Sequence, residues 1–433
     1  MNTDNEVIDI EGICSSLAAN GYSVSFRGFS AIDRYLGLPD LPFVFIETNA
    51  DVADLARLTE NLRFPGVEVA DCATDTLNRV YPRPYGACYF RCLDHDEQQK
   101  FFLPLLSFGY DWQKRSFKDP LGVYSLLRTL RNGKSRLHGD GSFSQTTYQD
   151  AAELNDRPAA GPCAWPSAWP CAYRYRAIME AALLLARYGF RTDLPSGDFS
   201  QEAGETFSIE ALPGPETQRV FLSCLLVSAR PDLGLELLKR TGFLDALWPE
   251  LAAFSEVDHS KEFHPEGNVW NHTLETFRYR KAAAQGAYDL RLSLGLLLHD
   301  MGKPISASFG SHRFEAHAEL GAKAAARFME RLEFDPSMVE DIFYLVRNHM
   351  LPAALKRLPL TKTAEIMASP LFPTLMELYR CDESSSFKGL DGYYENSAAY
   401  QAYLKNVKNP YRGADGKKLK RNEMINYHYH TRS

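Results

Sequence analysis

The chain has 433 residues, of which 45% are apolar and 24% charged, and at ~150 residues per domain that length suggests about three domains. Such a composition excludes a wholly disordered chain, a collagen-like chain and a coiled-coil rod. Against 48 Lys and Arg stand 55 Asp and Glu, a net charge of −7, so the chain as a whole lacks the basic balance of a protein that grips nucleic acid chiefly by electrostatics.

The charge is unevenly spread. Residues 401–433 hold eight basic side chains (Lys405, Lys408, Arg412, Lys417, Lys418, Lys420, Arg421 and Arg432) against Asp415 and Glu423, a surplus of +6 that leaves −13 on the first 400 residues. No N-terminal stretch joins a basic segment to an apolar run, as a secretory signal would. The longest apolar run, Leu294–Leu298 with its neighbours, falls well short of the ~20 residues that span a bilayer. Eight Cys without a CxxC pair read as reduced, mostly buried thiols. The expectation is a cytoplasmic protein with no membrane association.

In chain order, strand signals come first. Tyr22–Arg27, Phe43–Thr48 and Ala87–Leu93 are rich in β-branched and aromatic residues, and 51–62 has helical apolar spacing behind an Asp cap. The first 138 residues therefore form an α+β head. Residues 139–172, rich in Gly, Pro, Ser and Ala with no sustained period, make an irregular connection and the main boundary. From Tyr173 the pattern is helical: Ile178–Tyr188, Thr217–Val227, Leu233–Arg240, Val269–Ala284, Leu290–His299, Ala316–Leu332, Met338–His349 and Pro373–Asp382. This α region divides at about residue 255 into a neck (173–255) and a second helical domain (256–400), followed by the basic tail (401–433).

Eleven His occur, and seven fall between 259 and 349. His299 and Asp300 directly follow the apolar run LGLLL and precede Gly302 and Pro304, which are expected to end that helix. An isolated pair there could be a His and an Asp satisfied by hydrogen bonds, since buried ionisable groups are costly unless paired or metal-bound. The neighbours favour the second case. His272 lies on an apolar-periodic helix, His317 opens an Ala-rich one, His349 ends another, and Asp382 ends a fourth.

Mixed imidazole and carboxylate donors suit Mn, Fe, Co, Ni or Zn, and the lack of paired thiols argues against a structural zinc site. Six such groups could hold one or two ions with Asp300 bridging. Lys303, one turn on, is placed to neutralise a phosphate oxygen.

The order His272, His299-Asp300, Asp382, with the string HDMGK at 299–303, resembles the HD-domain metal phosphohydrolases, and His317 and His349 resemble those with two metals. More narrowly, HPEGNVWNHTLE at 264–275, together with 176–190 and 216–251, resembles the bacterial tRNA nucleotidyltransferases, the CCA-adding enzymes. The resemblance implies an α+β nucleotidyltransferase-like head, an all-α neck and an all-α HD domain, with His264 at the edge of the site. It also implies a nucleotide or an RNA 3′ end as substrate and contact with tRNA.

The head departs from that pattern. RGFSAIDRYLG at 27–37 keeps Gly28, Asp33 and Gly37, but Phe29 and Ile32 replace a glycine and an arginine. Phe43 and Phe45 stand where the family has two aspartates, and Phe cannot coordinate Mg²⁺, which demands oxygen ligands. Lys114, Arg115, Ser116 and Phe117 replace an Arg-Arg-Asp-Phe string, and the base-reading signature of the neck is absent from Tyr173–Ala177. Glu47 and Asp51 are the nearest carboxylates, and both are read as lying off the inward face of the strand.

The resulting expectation is a metal-dependent phosphohydrolase in which His272, His299, Asp300, His317, His349 and Asp382 hold metal and Lys303 and His264 meet substrate. The head is expected to be degenerate at Phe43 and Phe45. Two alternatives are an RNA nucleotidyltransferase with unfamiliar carboxylates and a non-catalytic RNA-binding scaffold. His95-Asp96 follows a strand in a polar stretch and the Tyr–His alternation at 427–430 is read as a fraying end, so neither is assigned a function. GADGKK at 413–418 lacks the strand–loop–helix context of a phosphate loop and instead resembles the start of the family's C-terminal RNA-binding region.

Overall fold

A computed structural model describes residues 9–60, 66–71, 76–83, 86–92, 108–119, 171–189, 212–258, 267–283, 286–308, 316–386 and 389–407. These divide into two compact units, Met1–Thr241 with Ala282–Tyr288, and Gly242–Lys281 with Asp289–Ser433. His95-Asp96, His264, the GADGKK string, the Tyr–His alternation, most of 139–172 and the tail beyond residue 407 lie outside the described residues.

The first unit is an α+β head joined to helices. Its elements are α1 (Ile10–Ala19), β1 (Val24–Arg27), α2 (Phe29–Leu36), β2 (Phe43–Thr48), α3 (Val52–Leu58), β3 (Val67–Asp71), β4 (Thr76–Arg83), β5 (Gly86–Cys92), β6 (Gly109–Asp111) and β7 (Ser116–Lys118). Seven strands form one sheet in the order β3-β4-β5-β2-β1-β6-β7, parallel only between β2 and β5. Period-2 alternation sorts the residues. Val24, Phe26, Val44, Ile46, Cys88 and Phe90 enter the core with α1, α2 and α3, while Ser25, Arg27, Phe43, Phe45 and Glu47 take the opposite face. The expected strands at 22–27, 43–48 and 87–93 are all present, and Asp51 caps α3 by accepting from the Asp54 amide at 2.7 Å.

Two of the retained head residues have structural reasons. Gly28 has φ 54° and ψ −126° at the start of α2, a conformation open essentially to glycine. Asp33 is buried and takes a bidentate pair from Arg187 (2.7 and 2.9 Å) and a bond from the Tyr188 hydroxyl at 2.7 Å. Both partners sit at the end of α4 (Cys171–Tyr188). Ala181, Leu184 and Tyr188 also enter the head's apolar core, so α4 is part of the head's packing. α5 (Pro215–Leu226) and α6 (Pro231–Arg240) complete the helices of this unit.

Within the described residues the second unit is helical, apart from an isolated bridge between Asp258 and Asn268. It comprises α7 (Phe243–Leu247), α8 (Pro249–Ala252), α9 (Val269–Thr276), α10 (Leu290–Leu298), α11 (Gly302–Ser308), α12 (His317–Arg331), α13 (Pro336–Asn348), α14 (Leu360–Met367), α15 (Phe372–Ser384) and α16 (Asp391–Val407).

Two expectations need correction. The helix expected over 269–284 ends at Thr276 and passes into a 3-10 turn, Phe277–Tyr279. There Arg280 adopts extended backbone, and its buried guanidinium bonds the Phe277 carbonyl and the Ser293 hydroxyl. Gly302 and Pro304 do not merely end a helix. They begin α11, where proline is tolerated because first-turn amides have no intrahelical acceptor. No described helix is long and apolar enough to cross a membrane.

Candidate metal centre

Each candidate ligand is delivered by a helix end or a buried helix face. α9 starts at Asn268, whose side chain accepts from the Asn271 amide at 2.9 Å, and its buried face holds Val269, Trp270, His272, Thr273 and Thr276. α10 is capped by Asp289, whose side chain accepts from the Leu292 amide at 2.7 Å, and runs through LRLSLGLLL to His299. At Gly295 a Cβ would come within 2.9 Å of Leu378 and 3.3 Å of Leu345, so the missing side chain lets α13 and α15 close on α10.

A second close approach sets the other half of the centre. A Cβ on Gly302 would lie 1.9 Å from the His317 carbonyl and 2.6 Å from the Gly321 amide. The two glycines bring the start of α11 against the start of α12, and His317 is thereby carried to Asp300. Ala316, the residue before His317, holds φ 57°. That is a strained backbone for a residue with a Cβ, and it persists only where the surroundings enforce it.

His272, His299 and Asp382 form one cluster of donor atoms, and Asp300, His317 and His349 a second, each spanning less than 4.8 Å. Asp300 faces both. Its Oδ2 lies 3.3 Å from His299 Nε2 and 3.9 Å from His272 Nε2, and its Oδ1 lies 3.8 and 3.9 Å from the Nε2 atoms of His317 and His349. Asp382 Oδ1 is 3.0 Å from His272 Nε2.

Tautomers follow from the outer ring nitrogens. His299 Nδ1 donates to the Leu296 carbonyl at 2.8 Å and His349 Nδ1 to the Val346 carbonyl at 2.7 Å. Both acceptors are carbonyls in the last turn of their helices, where i→i+4 donors run out. The Ser385 hydroxyl donates to the Asp382 carbonyl at 2.6 Å and lies 3.3 Å from His272 Nδ1, so it accepts from that ring. In all three rings the Nδ1–H is directed outward and the Nε2 lone pair inward. The facing Nε2 atoms of His272 and His299 are 3.4 Å apart, and those of His317 and His349 are 3.1 Å apart. A cation between the inward nitrogens of His272 and His299 would relieve the facing of their lone pairs, and His317 and His349 offer a second such pair of nitrogens, so the donor set fits bound metal.

Without a metal, positive charge on the same rings plays the cation's part. Burial pushes the Asp300 carboxyl up, but His299, Lys303 and His272 together outweigh it and hold the group well below the usual carboxylate range. Burial likewise raises Asp382, and His272 and His299 overcome it. Burial, reinforced by His299, lowers His349 to about 4, so its imidazole is neutral and able to ligate at pH 7. Lys303 donates to Asp300 Oδ2 at 2.6 Å, one turn along as its spacing required. Composition and spacing did not single out Ser385, Gly302, Gly321 or Ala316. The only available signals were a serine three residues after Asp382 and a glycine inside an otherwise good helix former, HAELGAKAAA.

Sheet register corrects the reading of Glu47. It shares the face of Phe43 and Phe45, pairs in register with Ser25, and accepts from Arg27 Nε at 2.9 Å. Asp111 pairs with Ser25 from the other side and is held by Lys118 at 2.8 Å. Phe43 is buried, whereas Phe45 is 37% exposed and stacked on Tyr89.

A buried helix end bearing a His-Asp pair, with further His and Asp from surrounding helices, defines an HD domain, and residues 269–369 match the HD domain family. The chain is 35% identical over 180 residues to the CC-adding tRNA nucleotidyltransferase of Thermus thermophilus, covering 40% of each chain. It is 36% identical over 126 residues to the multifunctional CCA protein of Halorhodospira halophila, covering 29% of each. The matches thus span about two fifths or less of these relatives. Among solved structures, the Bacillus stearothermophilus CCA-adding enzyme in complex with CTP aligns over 97% of this chain and 90% of its own, at 13% identity and a TM-score of 0.46. Residues 269–369 thus match the HD domain family, and part of the chain is similar in sequence to tRNA nucleotidyltransferases.

Proposed function

We propose that the HD domain is a metal-dependent phosphohydrolase acting on a phosphomonoester or phosphodiester of a nucleotide or an RNA end. The observation that carries this reading is the pair of donor clusters sharing Asp300. His272, His299, Asp300 and Asp382 would hold one ion, and Asp300, His317 and His349 a second. Such ions lower the pKa of bound water and neutralise phosphate charge. Ser385 and the carbonyls of Leu296 and Val346 keep the ligating nitrogens unprotonated. Lys303, held at Asp300, supplies a cation for a phosphate oxygen. The head, with Phe43 and Phe45 in place of aspartates, contributes no polymerase chemistry in this reading. tRNA is a partner by analogy with the relatives.

The test is phosphate release from 2′,3′-cyclic nucleotides, nucleoside monophosphates and bis-p-nitrophenyl phosphate with added Mn²⁺, Co²⁺ or Ni²⁺. Elemental analysis runs alongside. Metal-dependent turnover abolished by Asp300→Ala supports the assignment, and turnover unchanged in that variant refutes it.

The names of the relatives favour a second reading, nucleotide addition to tRNA. Its carboxylates would be Glu47 and Asp111, which flank Ser25 on one face of the sheet. Incorporation of labelled CTP or ATP into tRNA lacking its 3′ end, lost in Glu47→Gln or Asp111→Asn, would establish it.

A further inference from the structure

Building on the metal-binding reading of the HD centre, we infer that its two donor clusters fill separately, and that a backbone latch made of Gly302, Ala316 and Gly321 decides whether the second is occupied. The three residues are positioning residues: they act on metal through His317.

The first cluster is assembled without α12. His272 comes from α9, His299 from the end of α10 and Asp382 from α15, and both imidazoles are buried. The second cluster adds His317 and His349 to Asp300. His317 is the first residue of α12, so no earlier turn of that helix holds it. Its place depends on how α12 is seated.

Gly321, one turn on, is where that seating is fixed. A Cβ there would fall 2.9 Å from the Gly302 amide nitrogen on α11 and 3.4 Å from Val346 Cγ1 on α13. These are the elements of the second cluster. α11 begins two residues after Asp300, and Val346 lies one turn before His349. Backbone cannot swing aside as a side chain would, so alanine at 321 would lift α12 from α11. His317 Nε2, 3.8 Å from Asp300 Oδ1, would move with it. The nearest atoms such a Cβ meets belong to α11 and α13, not to α9 or α15, so the first cluster is spared.

Ala316 is an independent observation that points to the same ligand. Its backbone is left-handed, φ 57° and ψ 13°, which is costly for a residue with a Cβ. The side chain is exposed, so core packing does not offset the strain. The conformation turns the chain into α12, with the Ala316 carbonyl accepting from the Leu320 amide at 3.0 Å, and the next residue is the ligand. Strain held beside a site in this way is preorganisation. Glycine adopts the same backbone freely, and a β-branched residue resists it.

Separate filling has a chemical consequence. A pair of ions stabilises both the attacking and the leaving oxygen of an in-line displacement, whereas one ion serves chiefly to polarise phosphate or activate water. The latch thus sets which kind of centre the HD domain presents.

The experiment is Mn²⁺ binding to the metal-free full chain, read by calorimetry and elemental analysis, with electron paramagnetic resonance of the loaded protein. Wild type is expected to bind two ions, exchange-coupled through Asp300. Gly321→Ala should keep one ion, give the spectrum of an isolated Mn²⁺, and weaken the second by more than about tenfold. Ala316→Val, a surface change that leaves the core intact, should do the same. Ala316→Gly should keep both ions and their coupling while raising the thermal midpoint. A merely structural role would move the midpoint and leave both ions in every folded variant. Two coupled ions in folded Gly321→Ala or Ala316→Val would overturn the inference, as would loss of both ions from either folded variant or a single ion in wild type. No ion in wild type would instead refute the metal-binding reading on which the inference rests.

Discussion

The face of the head's sheet and the HD centre both gather acidic side chains, yet they use them in opposite ways. In the head each described carboxylate at the centre of the fold is matched to a cation: Asp33 to Arg187, Glu47 to Arg27, Asp111 to Lys118. In the HD centre Asp300 and Asp382 face imidazoles whose outer nitrogens are committed to oxygen acceptors. Lys303 occupies part of Asp300, but its other oxygen faces His317 and His349. An ion pair neutralises a carboxylate within the protein. A carboxylate facing inward lone pairs is instead suited to a cation from outside. What distinguishes a structural acid from a candidate metal ligand in this chain is the partner's proton.

Four substitutions put that distinction under strain. Asp300→Ala removes the group common to both clusters. Loss of an outer-shell partner alone typically costs 10–100-fold, so phosphate release and bound metal should fall by more than about a hundredfold, read by turnover and elemental analysis. Asp33→Ala leaves Arg187 buried and unpaired and should destabilise the first unit by about 3–5 kcal/mol. Denaturant unfolding measures the loss, and metal-dependent turnover should persist wherever the chain stays folded.

Glu180 offers a pH test away from either site. Burial, only partly offset by Arg176, raises its carboxyl to about 7. The folded state therefore keeps a proton that the unfolded chain releases from about pH 4.5. Stability is full below that pH and declines as pH rises through 7. Glu180→Gln should abolish this decline, gaining on the order of 2 kcal/mol at pH 8 and little at pH 5. The smallest effect is Ser385→Ala, which frees the His272 tautomer and should weaken metal binding about tenfold. Calorimetric titration with Mn²⁺ reads it, and Ser385→Thr should restore binding.

The centre was more legible than the fold around it. His272, His299, His317, His349 and Asp382 could be named because each imidazole or carboxylate interrupts an apolar period, and apolar surroundings exclude an unpartnered polar group. The ends of α9 and α10 were less legible. Arg280 ends the first by finding acceptors in space, and Gly302 begins a helix where chain signals place a stop. Glu47 was misjudged although alternation alone puts it on the face of Phe43 and Phe45. β3, β6, β7 and α16 were not identified at all: the three strands are only three to five residues long, and the Tyr-rich α16 has a weak apolar stripe.

By itself the sequence determined an α+β head followed by helices, the types and order of the candidate donors, and aromatics in β2 where the resemblance expects acids. These depend on residue chemistry and on periods of two and 3.6 residues, both local. Tertiary structure decided that the donors form two clusters joined by Asp300, since that rests on Gly295, Gly302 and Gly321 permitting close helix approach. It also decided which carboxylates are neutralised by arginine or lysine, and that Phe45 stands exposed on an anchored Tyr89. Such pairings join residues far apart in the chain, and nothing in the local pattern sets the distance between them.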